Sequence, residues 1–146
     1  MNTKHEREKG QSLVEFALLL PLLILLMMGL LDFGRAYYVT VTLNDAAMEG
    51  AIYAGFRPND EHGIKLRAAS AAQDALVNIT TDEVSVVMGN SGAATASVGG
   101  GVATGVPITV TVIRNFEFLT PFIGETFAPN GLILRGQATS AIISTP

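Results

Sequence analysis

The sequence predicts an α+β fold with a long N-terminal helix that crosses a membrane in its first half, a second helix, and a small antiparallel sheet of about three strands. Two patterns predict it: residues 16–31 are apolar and uncharged, and apolar residues occupy every second position in 84–88 and again in 108–112. Of the 146 residues, 49% are hydrophobic and 15% charged, whereas a soluble domain has about 25% charged residues. One domain with a membrane-spanning appendage is therefore expected.

The apolar stretch extends over residues 13–31 and is interrupted only by Glu15. At 1.5 Å per residue, this segment is roughly 28 Å long, which matches the hydrocarbon thickness of a bilayer. The sequence has no second stretch of this kind. The chain is therefore expected to cross the membrane once.

The charges that flank this span predict its orientation. Three basic residues precede it, namely Lys4, Arg7 and Lys9. Asp32 and Arg35 follow it and cancel each other. The positive-inside rule then predicts a cytoplasmic-membrane protein with its N-terminus in the cytoplasm and residues 36–146 outside. A secretory signal peptide is disfavoured because no Ala-x-Ala cleavage site follows the apolar core.

Helical spacing continues beyond the span, which predicts one helix from about Ser12 to Phe56. Along its second half, Ala46, Gly50 and Ala54 recur every four positions. Small residues at this spacing permit close helix packing. Two partners are compatible with the pattern: the chain's own second helix or sheet, or the helix of a neighbouring subunit.

Glu15 is an ionisable residue within the apolar segment, where an unpaired carboxylate is energetically costly. One interpretation is a capping box at the start of the helix, with Ser12 as N-cap and Glu15 at position N3. The other depends on a cut after Gly10, which would create an ammonium group on Gln11. That ammonium and the Glu15 carboxylate of a neighbouring subunit would neutralise each other in lipid.

The residues around Gly10 and Glu15 resemble those of a known protein family. The segment KGQSLVEF at 9–16 resembles the class III leader junction of type IV pilin-like proteins. The continuation, with ALLLP at 17–21, DFGR at 32–35 and NDAAMEGA at 44–51, resembles the TadE-like minor pilins (pseudopilins) of the tight-adherence (Tad/Flp) pilus system. The resemblance covers about residues 9–55. Ile52 departs from it, because the family pattern would have arginine there.

The resemblance implies a prepilin peptidase that cuts between Gly10 and Gln11. It implies a leader at 1–10, a long pilin-like helix at 11–56 and an exported α+β domain at 57–146. Its implied role is structural and non-enzymatic: a minor pilin that helps initiate or cap pilus assembly. The implied partners are the peptidase, other pilins and pseudopilins of the same system, the inner-membrane assembly platform and the lipid bilayer.

Two other functions are compatible with the sequence. The protein could polymerise as the filament itself, although the resemblance implies that major pilins are much shorter. It could also be a membrane-anchored ligand-binding or adhesin module, with the Gly-rich loop at 89–105 as its contact surface.

Beyond the long helix, Arg57-Pro58 predicts a break. A second helix is predicted over about 61–77, capped by Asn59 or Asp60. Its predicted apolar face consists of Ile64, Ala68, Ala72, Ala75 and Ile79. The last strand is predicted over 132–144, with a bulge suggested at Arg135-Gly136. Thr120-Pro121 predicts one short helical turn.

The composition argues against several chemistries. Without cysteine, there is no disulfide, thiolate metal site or thiol nucleophile. The only histidines are His5 and His62, and Asp60-Glu61-His62 is better explained as a helix N-terminus than as a metal site. Gly99-Gly100-Gly101 lacks the Gly-Lys-Ser/Thr of a phosphate loop, and a net charge of −4 disfavours nucleic acid. We predict no enzymatic activity, cofactor, metal or small-molecule substrate.

Overall fold

The computed structural model describes residues 4–73, 77–89, 105–120, 124–125, 128–129 and 131–143, with side chains from Gly10 onward. The elements are α1 (Lys4–Phe56), α2 (Glu61–Ala71), a 3-10 turn (Thr81–Glu83), and three strands, β1 (Val84–Met88), β2 (Pro107–Phe116) and β3 (Leu132–Ala141). The predicted α+β fold is confirmed. The chain forms two compact units, one of Met1–Arg35 with Phe118–Asn130 and the other of Ala36–Glu117 with Gly131–Pro146.

Helix α1 continues through Pro21 and ends at Phe56, as the sequence predicted. It ends there because Pro58 disfavours helical geometry at Arg57, whose N–H still donates to the Tyr53 carbonyl at 2.9 Å. The start differs from the prediction, since the helix already begins at Lys4. Ser12 lies inside the helix, so the interpretation of Ser12 and Glu15 as a capping box is wrong.

Asp60 is the N-cap of α2, in agreement with the sequence. Its Oδ1 accepts a hydrogen bond from the Gly63 N–H at 2.9 Å, and its Oδ2 accepts one from the Tyr53 hydroxyl at 2.8 Å. These two bonds hold the pKa of Asp60 below its usual value, and the Gly63 bond has the larger effect. The predicted helix N-terminus at Asp60-Glu61-His62 is therefore confirmed, and the cap joins the end of α1 to the start of α2.

Helix α2 ends at Ala71, before the predicted end at Val77. Val77 and Ile79 are both buried although they lie outside the helix. These two residues are apolar because the segment that leads to β1 is buried. Their spacing from the apolar residues of α2 resembles that of a helix face, and for this reason the sequence predicted a longer helix. Ala75, predicted on the same helix face, lies outside the described residues.

The sheet has the strand order β1-β2-β3, and both pairings are antiparallel. Strand β2 pairs with β1 from Val84↔Val112 to Met88↔Ile108. It pairs with β3 from Pro107↔Ala141 to Phe116↔Leu132 without interruption. The bulge suggested at Arg135-Gly136 is wrong, because both residues take regular places in this register. The central part of the predicted Gly-rich loop, residues 90–104, and Pro121 of the predicted short turn lie outside the described residues.

Gly136 is required by close packing of β3 on α1. A Cβ at this position would overlap the Leu43 carbonyl group and lie 2.6 Å from the Asn44 amide nitrogen. Next to it, the Gln137 N–H donates to Asn44 Oδ1 at 3.3 Å. The backbones of strand and helix therefore meet at glycine, which explains a residue that the sequence suggested as a bulge.

Gly136→Ala is expected to destabilise the full chain by about 1–3 kcal/mol, because the clashing atoms belong to helix backbone and cannot rotate away. Thermal unfolding in detergent would measure this loss. Gly34→Ala is the matched control, since a Cβ there meets nothing within 4 Å; it should leave the melting temperature unchanged or raised. Equal melting temperatures for Gly136→Ala and the unmodified chain would contradict the packing argument.

Candidate functional site on the N-terminal helix

The first part of α1 presents an apolar surface on every side. All its large apolar side chains from Leu13 to Leu31 are exposed. Within the part of the chain that the structure describes, Gly10–Phe56 is the one helix with the length and apolar composition of a membrane span. So large an exposed apolar surface is unfavourable in water and favourable in lipid. This helix is therefore a candidate membrane span.

The residues of the predicted leader junction lie on the exposed surface of this helix. A Cβ at Gly10 would meet nothing within 4 Å. The next residue is Gln11, whose Nε2 donates a hydrogen bond to Oε1 of Glu15, one turn farther along the helix, at 3.3 Å. Both side chains are exposed. The structure thus brings Gln11 and Glu15 together within one chain. Pairing of these residues between subunits stays a prediction.

Asp32, directly after the apolar segment, makes contacts that the sequence did not predict. It is only 2% exposed, although its neighbours Leu31 and Phe33 are 61% and 70% exposed. Oδ1 accepts the Leu119 N–H and Oδ2 accepts the Thr120 N–H, each at 2.9 Å. Asp32 therefore attaches the chain just after β2 to the helix at the end of the apolar segment.

The charge of Asp32 is stabilised in this buried position. Burial by itself raises the pKa of the carboxyl group, but the hydrogen bonds from Leu119 and Thr120 and the Arg35 guanidinium, 3.4 Å away, outweigh it and leave the pKa below its usual value. The sequence does single out Asp32, because it is the first charged residue after the span. Its partners, 87 and 88 positions away, were not visible.

The small-residue row of α1 packs within the chain itself. Ala46, Gly50 and Ala54 are all buried. A Cβ on Gly50 would lie 3.0 Å from the Ala68 Cβ of α2 and 3.1 Å from Val110 Cγ1 of β2. Of the two partners predicted for the row, the structure therefore shows the chain's own second helix and sheet.

Ile52, where the family pattern would have arginine, is exposed on α1. Its exposed side chain lies outside the buried row of small residues.

The described residues contain no group of three or more His, Asp or Glu side chains arranged to hold a metal ion. The acidic residues near the start of α2 have structural partners. Asp60 caps the helix, and Glu61 Oε1 lies 2.7 Å from Lys65 Nζ. These acidic side chains therefore have a structural role, the stabilisation of α2.

Comparison with known proteins agrees with the sequence motifs. Residues 10–51 match the family described as TadE-like protein. No curated protein and no solved structure matches the chain. The matched segment includes Gly10, Gln11, Glu15 and Asp32, so the family match and the candidate site coincide.

Proposed function

We propose that this chain, a TadE-like protein by the match of its residues 10–51, is a minor pilin of the Tad pilus system. In this role it is a structural, single-pass membrane subunit that helps initiate or cap assembly of the pilus. The observation that carries the proposal is the exposed apolar surface of α1 within the segment that matches the family. A helix of this kind holds a subunit in the membrane before assembly and offers an apolar surface to neighbouring subunits afterwards.

The buried face of the second half of α1 supports the minor role over that of the filament-forming pilin. Val39, Leu43 and Ala47 belong to the hydrophobic core of the unit formed by Ala36–Glu117 with Gly131–Pro146. The chain thus carries a folded domain that is built around the helix. The resemblance implies that major pilins of this system are much shorter, so a subunit with such a domain suits the tip or the start of a filament.

The same proposal includes the processing and placement of the chain. A prepilin peptidase removes residues 1–10 by cutting between Gly10 and Gln11, and residues 36–146 lie outside the cytoplasmic membrane. The mature helix then works with other pilins and pseudopilins of the system and with the inner-membrane assembly platform. The exposed position of Gly10 is compatible with access by a peptidase.

Gly10→Leu is expected to block leader removal, because glycine alone lets the backbone fit closely at the scissile bond. The full-length chain should then accumulate in the membrane, as measured by the intact mass of the purified protein. Gly34→Leu, at an exposed position of the same helix with nothing within 4 Å of its Cβ, is the matched control and should be processed normally. A native N-terminus at Met1 or Asn2 in piliated cells would contradict the proposed cleavage.

The abundance of the protein in sheared pili separates a minor subunit from the filament-forming pilin. We expect far fewer copies of this chain than of the shorter pilin, as measured by quantitative mass spectrometry of purified filaments. If this chain were instead the most abundant subunit, the minor-pilin proposal would be replaced by that of the filament subunit.

A further inference from the structure

We propose that the chain contacts the membrane at a second place: Asp32 holds residues 118–120 at the level where α1 leaves the bilayer, and the Leu119 side chain inserts into the outer lipid interface. The ligand of this surface is lipid, at the boundary between headgroups and acyl chains. The inference rests on the proposed membrane placement of residues 13–31 and adds to it an attachment that the helix alone does not supply.

Asp32 determines the height of the attached segment along the helix. It follows Leu31, the last residue of the apolar segment, at an axial rise of about 1.5 Å. Each of its two carboxylate oxygens accepts a different backbone N–H at 2.9 Å, from Leu119 and from Thr120. Two bonds to successive residues restrain both the position and the direction of this segment. Its backbone therefore lies at the end of the membrane span.

Leu119 is the exposed residue of the segment that Asp32 holds, whereas Thr120 is buried. Leu119 is 65% exposed although its backbone is attached to a buried carboxylate. Residues 118–120 carry no charge. Transfer of an uncharged segment into the interface has a low desolvation cost, and burial of the exposed leucine there is favourable.

Lipid is the occupant that the neighbouring residues favour. Leu30, Leu31 and Phe33, which flank the attachment point on α1, are themselves strongly exposed. In a single-pass subunit these side chains face lipid at the outer boundary, where aromatic residues such as Phe33 and apolar residues are well accommodated. Asp32 holds Leu119 at the level of these side chains, so the environment that covers the end of the span also covers Leu119.

The chain contains no cysteine, so a single introduced cysteine gives a unique site for a nitroxide label. The full chain would be labelled at Leu119→Cys and reconstituted into vesicles of phosphatidylethanolamine and phosphatidylglycerol. Collisions of the label with oxygen, which concentrates in lipid, would be compared with collisions with a water-soluble nickel chelate. We expect oxygen to dominate at position 119.

Two further labels distinguish failure of this inference from failure of the proposed topology. Leu23→Cys, within the span, should favour oxygen strongly. Ile143→Cys, an exposed apolar position whose N–H donates to the Gly55 carbonyl near the end of α1, should favour the nickel chelate. A water-like result at 119 with a lipid-like result at 23 would overturn the second contact alone. A water-like result at 23 would overturn the membrane placement and this inference together. A label at 119 that neither reagent reaches would indicate a protein partner and would also overturn the inference.

Asp32→Asn tests the anchor in the Leu119→Cys background. Asparagine offers one acceptor oxygen where the carboxylate offers two, so one of the two backbone N–H groups loses its partner. The label should become more mobile and shift toward the nickel chelate. Asp45→Asn, the same change at an exposed position of α1, is the matched control and should change neither reading. An unchanged depth in Asp32→Asn would overturn the assignment of Asp32 as the anchor.

Discussion

Replacing Glu15 by leucine is expected to abolish pilus formation while membrane insertion and leader removal continue. Leucine makes the span more apolar, which favours insertion. The Gly10–Gln11 bond itself is unchanged, so the peptidase still has its substrate. The separation of these outcomes is what identifies Glu15 as an assembly residue.

The physical reason lies in the new N-terminus. After the proposed cleavage, Gln11 would carry an ammonium group within or near lipid. In lipid, an ammonium group and a carboxylate that remain unpaired are both costly, so each favours a neighbouring subunit that supplies the other. In the uncleaved chain, Glu15 is already within reach of its own Gln11 side chain, at 3.3 Å. The proposed pairing therefore uses a carboxylate that lies exposed on the helix surface.

Two matched variants separate charge from shape. Glu15→Gln keeps the size and removes the charge, and it should fail in assembly like Glu15→Leu. Glu15→Asp keeps the charge with a reach one methylene shorter, and it should give intermediate piliation. Leader removal, by intact mass, and pilus formation, by electron microscopy, would be scored in the same strains. Normal piliation by a processed Glu15→Leu protein would show that Glu15 has no role in assembly.

A fragment that begins at Arg57 is expected to lose cooperative unfolding, whereas a fragment that begins at Tyr37 keeps it. The missing helix supplies buried apolar side chains to the core around the sheet, namely Val39, Leu43, Ala46, Ala47, Ala51 and Ala54. Their removal also uncovers Val110 and the Gly136 surface of β3. A domain of about ninety residues has too small a core to tolerate this loss.

Thermal unfolding followed by circular dichroism would compare the two fragments. Within the longer fragment, Leu43→Ala should lower the free energy of unfolding by about 2–5 kcal/mol, because the Leu43 side chain is fully buried. Val41→Ala, at an exposed position of the same helix, is the control and should change stability little. Equal melting temperatures for the fragments from Tyr37 and Arg57 would refute the dependence of the domain on α1.

The sequence by itself determined the features that depend on local periodicity and local chain stiffness. The apolar segment and the helical spacing predicted one long helix, and Pro58 predicted its end. Alternation of apolar and polar residues predicted β1 and the centre of β2. The junction around Gly10 and Glu15 was recognisable for the same reason, since its residues are consecutive in the chain.

Only the tertiary structure decided the features that depend on residues far apart in sequence. The partners of Asp32 follow β2, Gly136 meets the backbone of α1, and the burial of Val77 and Ile79 outside α2 explains an apolar pattern that had suggested a longer helix. Periodicity reports which side of a segment is apolar, but it does not report what covers that side. Burial of a carboxylate or the close approach of two backbones arises from contacts that the fold alone brings together.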